Sequence, residues 1–262
     1  MLGVERRNKI LTMINEKKSI PVQETAALFN VTEETIRRDF KYLEKKGLLV
    51  RIHGGAVISD ESKTEPSLEM REGINIPGKD AIGKKAAELI EDYDTIILDA
   101  STSALYVAKN IKDKKGLTVI TNAERIIFEL SSCDDIKLIS SGGVLRNKSL
   151  SYVGKMAETV IKNYYANKLF FSCRGFIPKI GLTDSSEQES EIRRTMMECS
   201  DKVIFLCDHT KFNRVGYVNT AKLDELDYII TDKPFPSEWD EYFEGESPVI
   251  IGSDTPNNIG EI

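Results

Sequence analysis

Between Thr32 and Lys41 five side chains have the chemistry of polyanion recognition: Thr32, Thr35, Arg37, Arg38 and Lys41. In the same stretch Ile36, Phe40 and Leu43 recur at i, i+4 and i+7, the stripe of a helix with one buried face, so those five are left toward solvent or a ligand. Hydroxyl and guanidinium groups near a helix start suit the DNA major groove. Arginine can make two parallel hydrogen bonds to guanine, and threonine or lysine can reach base edges or phosphates. The alternative is a solvated helix face with Asp39 and Glu44 in salt bridges. A second set of polar residues follows apolar runs further along the chain. Asp99, Ser101, Thr102 and Ser103 precede a helical pattern, where backbone N–H groups and three hydroxyls make a phosphate cradle; the alternative is plain N-capping. Thr121-Asn122 and Ser140-Ser141-Gly142-Gly143 end two other runs, the glycines allowing close backbone approach to a ligand, or simply a turn. Asp208-His209-Thr210-Lys211 ends another, and Lys211 offers a point charge to a phosphate or carboxylate, or is a solvated surface lysine.

The elements that must position the first set read as a winged helix-turn-helix. Val4, Leu11 and Ile14, with Ile10 beside them, form one apolar helix face, which ends at Ser19-Ile20-Pro21. Val22, Ala26 and Phe29 make a second, ended by Asn30, a residue that tolerates the left-handed conformation. Thr32 caps the third helix, Glu33 and Glu34 suit its positive dipole end, and Gly47 stops it. A link of about two residues, Asn30-Val31, forces the second and third helices into a sharp turn. Leu48, Val50 and Ile52 then alternate with Leu49, Arg51 and His53 before a Gly54-Gly55 bend. This is a strand and wing with Arg51 and His53 outward, able to touch the DNA backbone.

The second set sits on an alternation of strands and helices. Strand-like runs occur at 95–99, 117–121, 136–140, 169–173, 203–207, 228–231 and 249–251, with helical patterns at 81–90, 103–111, 123–130, 152–161 and 187–199. This predicts an α/β fold with a largely parallel sheet, which binds ligands beyond the carboxyl ends of its strands. The domain reading is a head at 1–57, a linker at 58–77 punctuated by Pro66 and Pro77, and a body at 78–262.

Charge divides the same way. The chain of 262 residues carries a net charge of -6, yet residues 1–57 hold 11 Lys and Arg against 7 Asp and Glu, and the remainder 25 against 35. A basic head on an acidic body points to a polyanionic partner for the head alone. No apolar run approaches the ~18 residues of a membrane span, and the charged N-terminus is unlike a signal peptide. Cys133, Cys173, Cys199 and Cys207 lack metal-ligand spacing and only His53 and His209 are present, so the expectation is a cytoplasmic protein with no metal site and no cofactor.

The string Val31-Thr-Glu-Glu-Thr-Ile-Arg-Arg-Asp-Phe40, then Leu43-Glu-Lys-Lys-Gly-Leu48 and Arg51-Ile-His-Gly-Gly-Ala56, resembles the DNA-binding head of the DeoR family of bacterial transcription regulators. The resemblance continues through Glu65-Pro66-Ser67, Asp99 to Ser103, Thr121-Asn122, Gly142-Gly143, Gly154, Gly181-Leu182-Thr183-Asp184 and Asp208-x-Thr210-Lys211-Phe212. It implies a Rossmann-like body related in fold to ribose-5-phosphate isomerase and glucosamine-6-phosphate deaminase. It also implies double-stranded operator DNA as partner, a phosphorylated sugar or related metabolite as effector, and control of carbohydrate metabolism genes, most simply as a repressor. Asp184 joins the expected ligand set on that motif. Ser101 stands where the family often has glycine. Arg174 stands where a small or neutral residue is expected, as a second ligand cation or a surface ion pair. One short recognition helix per head calls for a homo-oligomer, dimer or tetramer. The competing function is a sugar-phosphate isomerase or deaminase using Asp184 or Glu187 as general base.

Overall fold

The head begins with the helix α1, Gly3–Lys17, whose buried face is Ile10, Leu11 and Ile14; Val4 is 63% exposed and lies off it. In the computed structural model residues 2–45, 48–58, 68–243 and 248–252 are described, and the chain divides into two units, Met1–Asn75 and Ile76–Ile262. Ser19–Pro21, expected only to end the first helix, forms the strand β1. Pro21 precedes α2, Val22–Phe29, where its missing N–H costs nothing. Asn30, at φ 51°, closes α2 in the left-handed conformation, with its N–H donated back to the carbonyls of Ala26 and Ala27. The helix α3 spans Glu33–Lys45 and buries Ile36, Asp39, Phe40 and Leu43; Gly47, expected to stop it, is outside the described residues. The strands β2, Leu49–Ile52, and β3, Gly55–Ile58, complete an antiparallel sheet of order β1-β3-β2.

The inward parity of β2 differs from the sequence expectation. Leu48 donates its N–H to the Leu43 carbonyl and stays buried at the end of α3, so Leu49 becomes the buried residue of the strand. Val50 and Ile52 are then outward, 45% and 50% exposed, along with Arg51. Within residues 58–77, the segment 59–67 is outside the described residues, and Leu68–Gly73 forms α4, whose Met70 joins the head core.

The second unit opens with α5, Ile76–Glu88, and alternates through β4 (Thr95–Leu98), α6 (Thr102–Asn110), β5 (Leu117–Thr121), α7 (Glu124–Leu130) and β6 (Ile136–Ser140). A hairpin of β7 (Val144–Arg146) and β8 (Ser151–Val153) leads to α8 (Lys155–Ile161), β9 (Ala166–Phe171), β10 (Gly175–Ile177) and β11 (Gly181–Asp184). Then come α9 (Glu187–Glu198), β12 (Ser200–Cys207), β13 (Val218–Ala221), β14 (Tyr228–Thr231) and β15 (Val249–Gly252). The seven strand-like runs read from the sequence become one parallel sheet of order β15-β14-β12-β9-β4-β5-β6. They are legible because a strand covered on both faces is apolar on both. Ile96, Leu98, Val119 and Phe170 pack among α5, α6 and α7 in one core, while Ile97, Ile120, Leu169, Phe171 and Phe205 pack on the other face with α8, α9 and the antiparallel β10-β11-β13 sheet.

Tyr152, expected at the start of a helix, belongs to β8. Gly154, at φ 88°, breaks the strand and caps α8, so the helix begins only at Lys155. The segment after Pro234 closes the body with aromatic rings: Trp239 lies 5.5 Å by ring centroid from Phe176, Phe212 and Phe235, and Phe243 stacks on Phe235 at 5.0 Å.

Strand order shows where the sheet changes winding direction. From β4 the chain winds one way through β5 and β6; from β9 it winds the other way through β12, β14 and β15. The reversal lies between β4 and β9. In open parallel sheets, ligands bind beyond the carboxyl ends of the strands at such a reversal.

Candidate nucleic-acid interface and ligand site

On α3 the Thr32 and Thr35 hydroxyls are 2.9 Å apart, and Thr35 donates its N–H to Thr32 Oγ1 at 3.3 Å, so Thr32 caps the helix. Arg37 pairs with Glu33 one turn back, at 2.8 Å. Arg38 and Lys41 are exposed and have no ion pair among the described residues. Asp39 points inward, with Arg6 at 2.5 Å and Arg7 at 3.4 Å, fastening α1 to α3. On β2 and the turn after it, Arg51 and His53 are exposed. Arg51 Nε meets Glu44 Oε2 at 2.6 Å, and its hydrogen bonds hold the Glu44 carboxyl below its usual pKa. The salt bridges expected for Asp39 and Glu44 are therefore present, yet they leave Arg38 and Lys41 unengaged on the same helix.

In the body the polar strand ends divide into two kinds. Some are occupied in building the turns. Ser101 Oγ accepts the Ala104 N–H and caps α6, and Asp99 Oδ1 accepts the Ser101 N–H at 3.1 Å. Thr121 donates its hydroxyl to the Leu98 carbonyl at 2.7 Å and accepts the Ala123 N–H, locking β5 to β4. Others face inward with an atom to spare. Ser103 and Asn122 are 1% and 2% exposed, and Ser103 Oγ and Asn122 Oδ1 have no hydrogen-bond partner. The Asn122 amide nitrogen donates to the Tyr152 carbonyl at 3.0 Å, which aims the oxygen the other way. Ser103 is in the first turn of α6, and Asn122 directly follows β5, the strand beside β4. Thr102 is buried there too. Gly142 and Gly143, at φ 55° and 112°, turn the chain out of β6, conformations that side-chain-bearing residues adopt at a cost.

Across the switch point, Lys211 Nζ stands 3.7 Å from Asp208 Oδ2. Burial pushes the Asp208 carboxyl up, but the charges of Lys211 and Lys79 and the Thr210 hydroxyl prevail and hold it at about 2. Lys79, in the first turn of α5 and buried, was not anticipated from the sequence. Arg174 follows β9, half-buried, and donates its N–H to the Thr183 carbonyl.

Sequence reasoning also missed Arg193. This α9 residue is 3% exposed and reaches three carboxylates: Asp184 Oδ2 at 2.6 Å, Asp99 Oδ2 at 2.8 Å and Glu189 Oε2 at 3.7 Å. Burial disfavours its charge, but Asp184, Asp99 and Glu189 outweigh burial and raise its pKa. Glu189 also accepts from Ser151, which meets Ser149 at 2.8 Å, and Arg146 lies 3.6 Å away, so the hairpin β7–β8 is tied into the cluster. Asp99, Ala100, Asn122, Glu189, Ile192 and Arg193 line a small space at this point. Glu187 is exposed at the start of α9.

Residues 6–62 match the DeoR-like helix-turn-helix domain, and residues 74–233 match the DeoR C terminal sensor domain. The uncharacterized HTH-type transcriptional regulator YulB of Bacillus subtilis is 43% identical over 232 residues, covering 88% of this chain and 90% of the relative. A putative aga operon transcriptional repressor of Escherichia coli O157:H7 is 31% identical over 236 residues, covering 89% and 88%. Among solved structures, ribose 5-phosphate isomerase A from Methanocaldococcus jannaschii superposes with a TM-score of 0.40 at 12% identity over 53% of this chain and 55% of that one. No helix among the described residues is long and apolar enough to cross a membrane.

Proposed function

The chain belongs to the DeoR family of transcriptional regulators, and we propose that it is a repressor of carbohydrate metabolism genes that leaves its operator when a phosphorylated sugar or related metabolite binds the body. The pair of buried, unpartnered oxygens on Ser103 and Asn122 carries the effector half of this reading. An unsatisfied buried polar atom costs about 1–3 kcal/mol, so two, one in the first turn of α6 and one just after β5, fit a site completed by a ligand's own donors. The hydroxyls of a sugar supply such donors. The phosphate falls to the start of α6, where N–H groups lack helical partners, and to Lys211. The body's net negative charge gives no long-range attraction, so these local groups must recruit the anion. Asp99, Thr121, Gly142 and Gly143 shape the walls, Asp184 acts through Arg193, and Arg174 is a second cation within the rim.

On DNA, α3 enters the major groove with Arg38 and Lys41 as the unengaged cations. Arg37 exchanges Glu33 for DNA, Thr32 and Thr35 lie at the helix start, and the wing presents His53. A two-fold oligomer brings two heads to two half-sites. The name of the Escherichia coli relative supports repression. The isomerase or deaminase reading loses ground on the geometry. Asp184 is held by a guanidinium at 2.6 Å and is a poor proton acceptor, and Glu187 faces solvent outside the cluster.

Calorimetry of the full chain against a panel of sugar phosphates tests the reading, with Lys211→Ala as control. Losing one charge-assisted bond should weaken the effector about ten- to a hundredfold while DNA binding persists. No binding by any phosphorylated ligand would remove the effector assignment, and steady product formation would restore the enzyme.

A further inference from the structure

One carboxylate joins the recognition helix to the wing. Glu44, in the last turn of α3, uses both oxygens on a single residue seven positions on: the Arg51 backbone N–H donates to Oε1 at 3.0 Å, and Arg51 Nε donates to Oε2 at 2.6 Å. A carboxylate on the rim of a DNA-facing surface repels phosphates, so it weakens binding unless it does something else. Core stability is not that role, because both side chains are substantially exposed and exposed pairs contribute little to stability. Grip on the strand is a better account. Leu49 is the one buried residue of β2, and beyond it Val50, Arg51 and Ile52 are outward, so that part of the edge strand has its ladder to β3 and this carboxylate. A bond to the backbone N–H fixes the strand itself, and the second bond fixes the side chain's direction. The Arg37–Glu33 pair differs: it joins two side chains of one helix and positions no second element.

We propose that Glu44 is a specificity-determining strut. Through Arg51 it holds the wing in register with α3, so that the groups reading bases and those meeting phosphates engage one stretch of DNA. Arg51 acts on Glu44 rather than on a phosphate. This rests on the head being a sequence-specific DNA binder.

The test uses the full-length protein and a duplex selected by it from a random-sequence library, with a scrambled duplex of equal length. Glu44→Ala and Arg51→Ala should each lose about tenfold on the selected duplex, and the double variant no more than either single one. Glu44→Ala should bind the scrambled duplex as well as the parent or better, since a negative charge has gone. Glu44→Gln, which keeps an acceptor for the backbone N–H, should recover part of the loss. Arg51→Ala should leave the salt dependence unchanged, whereas loss of a phosphate contact would lower its slope by about one. The proposal is overturned if Arg51→Ala weakens both duplexes with that drop in slope while Glu44→Ala binds the selected duplex like the parent. If the library yields no preferred sequence, the DNA-binding reading fails instead. The strut then stands or falls on amide exchange at Arg51, which must be slower in the parent than in Glu44→Ala.

Discussion

Arg193→Met is the perturbation that most directly probes how the body is built. The substitution keeps the side chain's length and removes its charge, leaving Asp99, Asp184 and Glu189 buried around an apolar thioether. Removing one partner from a buried ion pair costs about 3–5 kcal/mol, because the remaining charge stays desolvated and unpaired. Three carboxylates share this guanidinium, and Arg146 at 3.6 Å from Glu189 offsets part of the deficit, so the middle of that range is expected. The chain has a single tryptophan, Trp239, buried in the body, so its fluorescence reports unfolding of this unit. With a urea dependence of roughly 2 kcal/mol per molar, the midpoint should fall by about 1.5–2.5 M. A pH series separates charge from packing. Burial without a counter-charge disfavours an ionised carboxylate, so the penalty on the folded state grows with ionisation as pH rises. The deficit should therefore shrink as pH is lowered from 7 to 5, and adding Asp99→Asn should recover part of it. A midpoint within experimental error of the parent would refute the hub, and a deficit independent of pH would assign the loss to packing alone.

Arg38→Ala should cost about 1–3 kcal/mol of operator affinity in a gel-shift titration, and more than Arg37→Ala, whose guanidinium must first leave Glu33; equal, unchanged affinities would remove α3 as the reading element. Asp208, with its folded pKa held at about 2 and an unfolded value near 3.9, should contribute roughly 2–3 kcal/mol that is present above pH ~4 and lost as pH falls toward 2. Acid titration of stability should show that component in the parent and lack it in Asp208→Asn. Light scattering of the protein on operator DNA should give a mass of at least two 29.5 kDa chains; one chain per site would contradict the two-headed arrangement.

How far these features were legible depends on how many neighbours decide them. The helix α3 is local: Ile36, Phe40 and Leu43 set its buried face, and Arg38 and Lys41 follow as outward by spacing alone. The parallel strands are legible for a similar reason, since burial on both faces leaves an unbroken apolar run. The strands β7, β8, β10, β11 and β13 escaped notice because three or four residues give no period, and β13 pairs with β11, a segment distant in the chain. The phase of β2 was misjudged because the buried residue was settled by the Leu48 bond to Leu43, a helix-end contact that alternation does not encode.

The polar residues show where local reading stops. A run such as Asp-Ala-Ser-Thr-Ser announces a polar strand end, but not which hydroxyl closes the turn and which is left over. In the fold Ser101 and Asp99 are consumed by the α6 cap while Ser103 keeps an unpartnered oxygen, a distinction set by rotamers and by β4 lying beside β5. Arg193 did leave a trace. Glu189, Ile192, Arg193 and Met196 share one face of α9, so two charges sit on a stripe otherwise apolar, while Arg194 next to Arg193 falls off it. A charge pair on a buried stripe requires partners from other elements. Asp99 and Asp184, which the sequence offered as ligand groups, are those partners. This ties the loop after β4 to α9 and, through Glu189 and Ser151, to the β7–β8 hairpin. A ligand that draws Asp99 or the α6 start toward itself therefore acts on the same buried network that stabilises the domain, which gives effector binding a physical route to alter the body's shape.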